Sequence, residues 1–452
     1  MSRATEDDTI VAIATAPGRG ALAVIRVSGP RALDIGRRMI EPFPAAPRRA
    51  TLARVLDAEG RVADEAIVVY QQGPASFTGE DVVEVTCHGG AVTPASIAAS
   101  FASRGARPAE PGEFTRRAVL NGKLDLIQAE AIGDLVDAAT RPAQRAALSQ
   151  LDGGLSRRIV ALRDRVIHLE ALCAYDIDFP EEDDGPIPAA RILDAAESTL
   201  ADVEALLATA PVGEVVRAGA VVVIAGAPNV GKSSLFNALL GRRRAIVTDV
   251  PGTTRDALEA VTEADGWPIR LVDTAGLRET SEVVERMGIE MSREYAERAD
   301  VVLVCGDSAS SLRDARDAVR TVTAAPVVEV RTKADLEVNG ATRPADGTIW
   351  VSAASADGLD ALARRIAETL ANAKGALALD APLVTRERQR YALERAREEL
   401  RQFRQAWQER SVPAVVSAVH LREAARELEE MIGTIDVEEV LDRVFRTFCV
   451  GK

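Results

Sequence analysis

Near the middle of the chain, the apolar run Val221-Val222-Val223-Ile224-Ala225 leads directly into Gly226-Ala227-Pro228-Asn229-Val230-Gly231-Lys232-Ser233. A short β-branched run of this kind is a buried parallel strand, and Ser234-Leu235-Phe236-Asn237-Ala238-Leu239-Leu240 after it starts a helix. Strand, glycine-rich turn and helix in that order form a phosphate-binding loop. Gly226 and Gly231 let backbone N–H groups close around phosphates, Lys232 adds a point charge, and Ser233 offers a hydroxyl to Mg²⁺. The loop commits the surrounding residues to a doubly wound α/β domain.

Two further blocks follow at the spacing of small GTPases. Gly252-Thr253-Thr254-Arg255-Asp256 can place a threonine hydroxyl, that of Thr254, on Mg²⁺, and Leu271-Val272-Asp273-Thr274-Ala275-Gly276 sets Asp273 toward the metal and Gly276 toward the γ-phosphate. Base identity comes from Arg331-Thr332-Lys333-Ala334-Asp335, because the Asp335 carboxylate accepts from guanine N1–H and the 2-amino group, which adenine lacks. GTP is therefore favoured over ATP. The usual pattern has asparagine where Thr332 stands; threonine keeps a hydroxyl but loses an amide. Ser352-Ala353-Ala354 completes the base pocket with backbone N–H groups toward O6.

The catalytic position departs from the common one. Many GTPases place a water-orienting glutamine after the Asp-x-x-Gly glycine, but Leu277 stands there. Arg278, Glu279, Glu282 and Glu285 in the next loop are candidates, each readable equally as a solvated charge. Asn229 has two readings as well. Its amide oxygen can coordinate a monovalent cation where other systems supply an arginine finger, or it can bond its own backbone.

Four segments flank or contain these motifs. Residues 1–120 mix strand-like runs (Ile10–Ala14, Ala23–Val27, Ala66–Tyr70, Val82–Val85) with alanine-rich helical stretches, an α+β domain. Residues 121–217 are helical, with Leu155, Ile159, Leu162, Val166, Leu169 and Cys173 at three- and four-residue steps, and an acidic break at 179–186 ends one helix. Residues 218–378 alternate strands and helices, and residues 379–452 are helical again, with Leu421, Ala425, Leu428, Met431 and Ile432 in one stripe. The simplest architecture inserts the nucleotide domain into one helical bundle, so that a nucleotide-driven movement passes to helices on both sides.

Composition narrows the function classes. The length of 452 residues suits about three domains. Neither an apolar span nor an N-terminal apolar signal core is present, so the expectation is a cytoplasmic protein without a membrane anchor. Four scattered cysteines and three histidines argue against a disulfide framework or a zinc site. A net charge of −14 excludes bulk electrostatic binding of nucleic acid, so RNA contacts are local or shared with a partner. The clusters Arg116-Arg117, Arg242-Arg243-Arg244 and Arg386–Arg404 read first as solvated helix faces.

Together with both flanks, these motifs resemble the bacterial MnmE (TrmE) family of tRNA uridine modification GTPases, within the class that also holds Era, EngA, YihA and septin-like proteins. The likeness runs along the whole chain: Pro17-Gly18-Arg19-Gly20, Ile25-Arg26-Val27-Ser28-Gly29, Ser76-Phe77-Thr78-Gly79-Glu80-Asp81, His88-Gly89-Gly90, Leu120-Asn121-Gly122-Lys123-Leu124-Asp125-Leu126 and the terminal Phe448-Cys449-Val450-Gly451-Lys452. The resemblance implies an N-terminal folate-binding domain that also dimerises, a discontinuous helical domain and an inserted G domain. It implies a homodimer working with a flavoprotein partner, MnmG (GidA), as a heterotetramer, adding a (carboxymethyl)aminomethyl group to carbon 5 of the wobble uridine of certain tRNAs. The one-carbon unit would come from a tetrahydrofolate derivative in its 5,10-methylene or 5-formyl form, with FAD and NADH serving the partner.

Site residues transfer by position. The nucleotide set is Asn229, Val230, Gly231, Lys232, Ser233, Ser234, Thr248, Asp249, Val250, Pro251, Gly252, Thr253, Thr254, Asp273, Thr274, Ala275, Gly276, Thr332, Lys333, Ala334, Asp335, Ser352, Ala353 and Ala354. Asn229 becomes a K⁺ ligand with Thr248, Val250 and Thr253, and K⁺-dependent pairing of G domains is the implied mechanism. The family's Val-Glu-Arg-x-Gly stretch matches Val284-Glu285-Arg286-Met287-Gly288, which singles out Glu285 as the water-orienting group, with Arg278 a weaker switch contact. Folate residues transfer as Arg26, Glu84, Lys123 and Lys452; without the family, Arg26 and Glu84 read as paired strand charges and Lys123 as a surface residue. Cys449 is tied by the resemblance to modification chemistry, whereas a lone cysteine among helical apolar residues is ordinarily buried and inert. Cys87, Cys173 and Cys305 read as packing residues, and His88 as a structural strand-end histidine that could alternatively touch folate. The alternative function is a ribosome-assembly GTPase of the Era or EngA type, although no appended basic RNA-binding domain with a GxxG clamp is visible.

Overall fold

The computed structural model describes residues 8–178, 188–241, 258–273, 295, 297–336, 347–379, 381–409, 413–433, 444–445 and 448–451. The chain forms two compact units, Met1–Gly133 with Glu429–Lys452, and Asp134–Leu428.

In the first unit the elements are β1 (Ile10–Ile13), β2 (Leu22–Ser28), α1 (Ala32–Met39), β3 (Ile40–Glu41), β4 (Thr51–Leu56), β5 (Val62–Gln71), β6 (Val82–His88), α2 (Thr93–Ser103), β7 (Arg107–Pro108), α3 (Glu113–Leu120) and α4 (Leu126–Asp137), whose last residues belong to the second unit. Seven strands run in the order β3-β4-β5-β6-β2-β1-β7. All neighbours are antiparallel except β1 and β7, which are parallel. Alternation decides which side chains enter the core. Ala23, Ile25 and Val27 of β2 and Val83, Val85 and Cys87 of β6 pack with Ile35 and Met39 of α1 and with Ile97 and Phe101 of α2. Each such fully buried aliphatic side chain contributes about 1.5–3 kcal/mol. The intervening positions face the other side, and register sets Arg26 opposite Glu84.

The chain terminus packs within this first unit, although the sequence groups residues 379–452 with the second helical stretch. The Gly112 N–H donates to Cys449 O at 3.3 Å, and Pro111 and Val450 form an antiparallel bridge. Phe445 and Phe448 meet edge to face at 5.2 Å between centroids. Gly112 has φ +67, and a Cβ there would lie 2.9 Å from the Phe445 ring, so glycine is required both by conformation and by space.

The second unit begins with α5 (Arg141–Leu151), α6 (Gly154–Asp178), α7 (Ala189–Leu207) and α8 (Ala210–Ala218). Leu155, Ile159, Leu162, Val166, Leu169 and Cys173 of α6 are all buried, which bears out the periodic stripe. Next come β8 (Ala220–Gly226), α9 (Lys232–Gly241), β9 (Leu258–Ala264), β10 (Trp267–Asp273), β11 (Val301–Gly306), α10 (Ala309–Arg320), β12 (Val327–Arg331), the 3₁₀ turn Ala334–Leu336, β13 (Ile349–Trp350) and α11 (Leu359–Lys374). Two long helices follow, α12 (Glu387–Glu409) and α13 (Ala414–Ile432), the latter ending in the first unit. The sheet order is β13-β12-β11-β8-β10-β9, parallel except for β9 beside β10. This is the doubly wound α/β arrangement that the phosphate-binding loop demanded.

The strand segment enters from α8 and leaves toward α12 at one place. Gly213 of α8 lies so close to the returning chain that a Cβ would stand 2.1 Å from Val384 O. Around it, Arg217 Nε donates to Thr385 O at 3.0 Å, Val384 N–H donates to Thr209 Oγ1 at 3.0 Å, and Gln150 Nε2 donates to Leu383 O at 3.0 Å and Thr385 Oγ1 at 2.9 Å. Entry and exit are thereby held together by buried and part-buried polar bonds, a geometry suited to an inserted domain.

Candidate functional site

The phosphate-binding loop is built by three backbone angles no ordinary side chain favours. Gly226 has φ +151, Asn229 φ +62 and Gly231 φ +99. A Cβ at Gly226 would sit 2.3 Å from Cys305 O of β11, so that position admits glycine alone. Asn229 is one of the few side chains that tolerates the left-handed region, and it is exposed. Lys232 is buried at the start of α9, its Nζ donating to Gly226 O at 3.0 Å and Ala227 O at 2.8 Å. The ammonium is thus held against the loop that has to receive a phosphate.

On the metal side, Asp273 is fully buried at the end of β10, in register with Ile224 of β8, and Ser233 is exposed at the start of α9. A carboxylate and a hydroxyl oxygen suit a hard cation such as Mg²⁺. Cys305, buried nearby, has its thiol pushed up to about 12 by burial, with the Lys232 charge opposing and the Asp273 charge adding to the shift. It is a packing residue. Cys87 and Cys173 are buried too, whereas Cys449 is exposed.

A cavity of about 500 Å³ lies beside the loop, lined among others by Gly231, Asn237, Thr332, Lys333, Asp335, Ala353 and Ala354. Its floor is tied together by short loops. Thr332 Oγ1 is within hydrogen-bond reach of Val230 O and, at 3.2 Å, of Gly306 O, and Thr332 itself is buried. Lys333 has φ +55 and its Nζ meets Asp307 at 3.3 Å, a hydrogen bond that holds the Asp307 carboxyl below the usual carboxylate range. Ala334 N–H donates to Val351 O at 3.2 Å, joining the two base-reading segments. Ser352 N–H donates to Asp357 O at 3.0 Å, so donors toward a guanine O6 fall to Ala353 and Ala354. Carboxylate, backbone donors and room for a purine are all present, and the residues fit a guanine nucleotide.

The positions Thr248, Asp249, Val250, Pro251, Gly252, Thr253, Thr254, Thr274, Ala275, Gly276, Leu277, Arg278, Glu279, Glu282 and Glu285 lie outside the described residues. So does Lys452.

The first unit carries a second cluster. Arg26 Nε donates to Glu84 Oε1 at 2.8 Å, and the guanidinium lies 5.4 Å from the centroid of Phe77 and 5.7 Å from that of Phe114. The sequence assigned neither Phe77 nor Phe114 to the site; the loop between β5 and β6 brings the first here and the start of α3 the second. Lys123 is exposed and its Nζ donates to Pro74 O at 3.0 Å. The loop between them is anchored by Glu80, which accepts from Ser28 Oγ at 2.6 Å and from Arg117 at 3.0 Å. Arg117 is therefore buried in an ion network with Glu80 and Glu113, not on a solvated helix face as its Arg-Arg pair suggested. His88 Nδ1 meets Asp64 at 2.8 Å at the end of β6, which favours its structural reading. Among the described residues there is no His/Cys/Asp/Glu group suited to hold a metal by itself, and no helix is long and apolar enough to cross a membrane.

Two family descriptions match the chain, the GTP-binding protein TrmE N-terminus over residues 9–123 and the MnmE helical domain over residues 126–449. Relatives named tRNA modification GTPase MnmE are similar from end to end. That of Azoarcus sp. (strain BH72) is 43% identical, with 98% of this chain and 98% of that protein covered. That of Moorella thermoacetica is 40% identical over 99% of this chain and 100% of its own length, and that of Aquifex aeolicus 38% identical over 98% and 100%. Matches of this extent, on a chain with a cavity of about 500 Å³ beside a folded phosphate-binding loop, show that the chain belongs to the MnmE family of tRNA modification GTPases.

Proposed function

We propose that this chain is a K⁺-dependent GTPase that acts, as a homodimer with an FAD-dependent partner of the MnmG (GidA) type, to add a (carboxymethyl)aminomethyl group at carbon 5 of the wobble uridine of certain tRNAs. The observation that carries the GTPase half is the loop and cavity pair: Lys232 and the glycine angles form the phosphate cradle, and Asp335 with Ala353 and Ala354 lines the base cavity. Lys232 and the loop N–H groups hold the phosphates, Ser233 and Asp273 position Mg²⁺, and Asp335 selects guanine. Asn229 serves the K⁺ site with Thr248, Val250 and Thr253, Thr254 completes the Mg²⁺ site, and Glu285 orients the attacking water, assisted by Arg278.

The modification half rests on the first unit. A tetrahydrofolate derivative, when bound, supplies the one-carbon unit. Glu84 accepts from the pterin donors, Arg26, Lys123 and Lys452 meet its carboxylates, and the partly exposed Phe77 ring gives an apolar wall, with the buried Phe114 ring backing the Arg26 guanidinium. Exposure of Cys449, with its carbonyl held on the Gly112 N–H next to Phe114's helix, supports a role for the thiol at the same end of that unit. FAD and NADH serve the partner.

Nucleoside analysis of tRNA from a deletion strain tests the reading. The wobble modification should disappear and return with the wild-type chain but not with Cys449→Ser. Normal modification in the deletion strain would remove the proposal.

A further inference from the structure

Guanine offers two acceptors on its Hoogsteen edge, O6 and N7, and a protein that reads N7 has to aim a donor at it. The segment beside the cavity where such a donor would stand carries Thr332, whose side chain has a single proton to give. That proton is already engaged. Thr332 Oγ1 faces two backbone carbonyls, Val230 O of the phosphate-binding loop and Gly306 O at the end of β11, and each of them is an acceptor only. The hydroxyl is buried, so donating to N7 would take it from the Val230 carbonyl, at the desolvation penalty of about 1–3 kcal/mol that a buried unsatisfied group carries. The Thr332 backbone N–H is engaged as well, by Gly306 O at 3.0 Å. Lys333 turns its Nζ to Asp307.

Building on the GTP reading above, we propose that this chain recognises guanine with no donor from Thr332 to N7: the Thr332 hydroxyl locks the base-reading loop to the phosphate-binding loop, and discrimination rests on Asp335 at N1–H and the 2-amino group and on Ala353 and Ala354 at O6. Thr332 is on this account a positioning residue. An asparagine there would have two amide protons, one for the Val230 carbonyl and one for the base; threonine has one, and the loop takes it.

The test is competition binding of nucleotides to the full-length chain with Mg²⁺, read as dissociation constants rather than turnover. GTP and 7-deaza-GTP, which carries C–H in place of N7, should bind within about twofold of each other, while inosine triphosphate, lacking the 2-amino donor to Asp335, should bind roughly tenfold or more weakly. Thr332→Val, which removes the hydroxyl at constant shape, should weaken GTP and 7-deaza-GTP by the same factor. A fivefold or larger preference of the wild-type chain for GTP over 7-deaza-GTP would overturn the inference, as would a Thr332→Val chain that weakens GTP alone. If neither guanine nucleotide binds, it is the GTP reading itself that fails. The wild-type comparison needs no variant, so poor folding of Thr332→Val leaves the decision intact.

Discussion

Arg26 of β2 and Glu84 of β6 stand opposite each other in the sheet register and join Nε to Oε1 at 2.8 Å, with the guanidinium over the rings of Phe77 and Phe114. Both side chains remain about one-quarter exposed, so the pair is open to a ligand and adds little to stability. Glu84→Gln should therefore change unfolding free energy by no more than about 1 kcal/mol. It should weaken 5-formyltetrahydrofolate by about tenfold or more, measured by calorimetric titration. Unchanged folate affinity would remove Glu84 from the site.

Gly226→Ala puts a Cβ 2.3 Å from Cys305 O at φ +151, where strain cannot be relieved by a rotamer change. We expect loss of GTP binding with a penalty of about 1–3 kcal/mol on the α/β domain, seen together in nucleotide titration and thermal unfolding. Wild-type affinity in this variant would show that the loop relaxes.

Burial opposes ionisation of Glu113, but hydrogen bonds from Arg107, the Glu110 N–H and Arg117 prevail and hold its carboxyl below the usual 4.5. A depressed folded pKa gives stability that is fully present above the unfolded value and lost as pH falls through the folded one. Thermal unfolding of the wild type should thus weaken below about pH 4.5, and Glu113→Gln should flatten that acid dependence. At neutral pH the same variant should cost about 3 kcal/mol, because Arg107 and Arg117 lose their shared carboxylate. Parallel acid profiles for the two proteins would contradict this.

Hydrolysis should be faster in K⁺ than in Na⁺, and Asn229→Ala should abolish the difference. Glu285→Ala should still bind GTP while turnover falls by about 10²–10⁴-fold, the range for a lost general base. Equal initial rates of phosphate release in the two salts, with the wild type, would eliminate the ion proposal.

Local patterns were legible where one short stretch carries all the information. The β8 run and its glycines announced a phosphate loop, and the stripe from Leu155 to Cys173 announced α6, because burial on one face imposes the helical period. The runs at Ala23–Val27 and Val82–Val85 were visible as strands for the same reason. Strand β4 was not, since Leu52 is apolar on the exposed face and the buried Ala53 is small, which blurs its alternation. Arg117 looked like a surface charge beside Arg116; only the fold brings Glu80 and Glu113 around it.

By itself the sequence carried the local patterns: a phosphate-binding loop, the Thr332–Asp335 segment that lines the cavity beside it and a helical framework, all encoded within stretches of a few residues. Only the tertiary structure decided which acceptors the Thr332 hydroxyl meets, that Arg26 pairs with Glu84 over two aromatic rings, and that Cys449 returns to the Gly112 N–H in the N-terminal unit. The reason is physical. Each of these contacts joins residues far apart in the chain, fixed by strand register and by the close approach that glycines at 112, 213 and 226 allow, and no local propensity specifies such a partner.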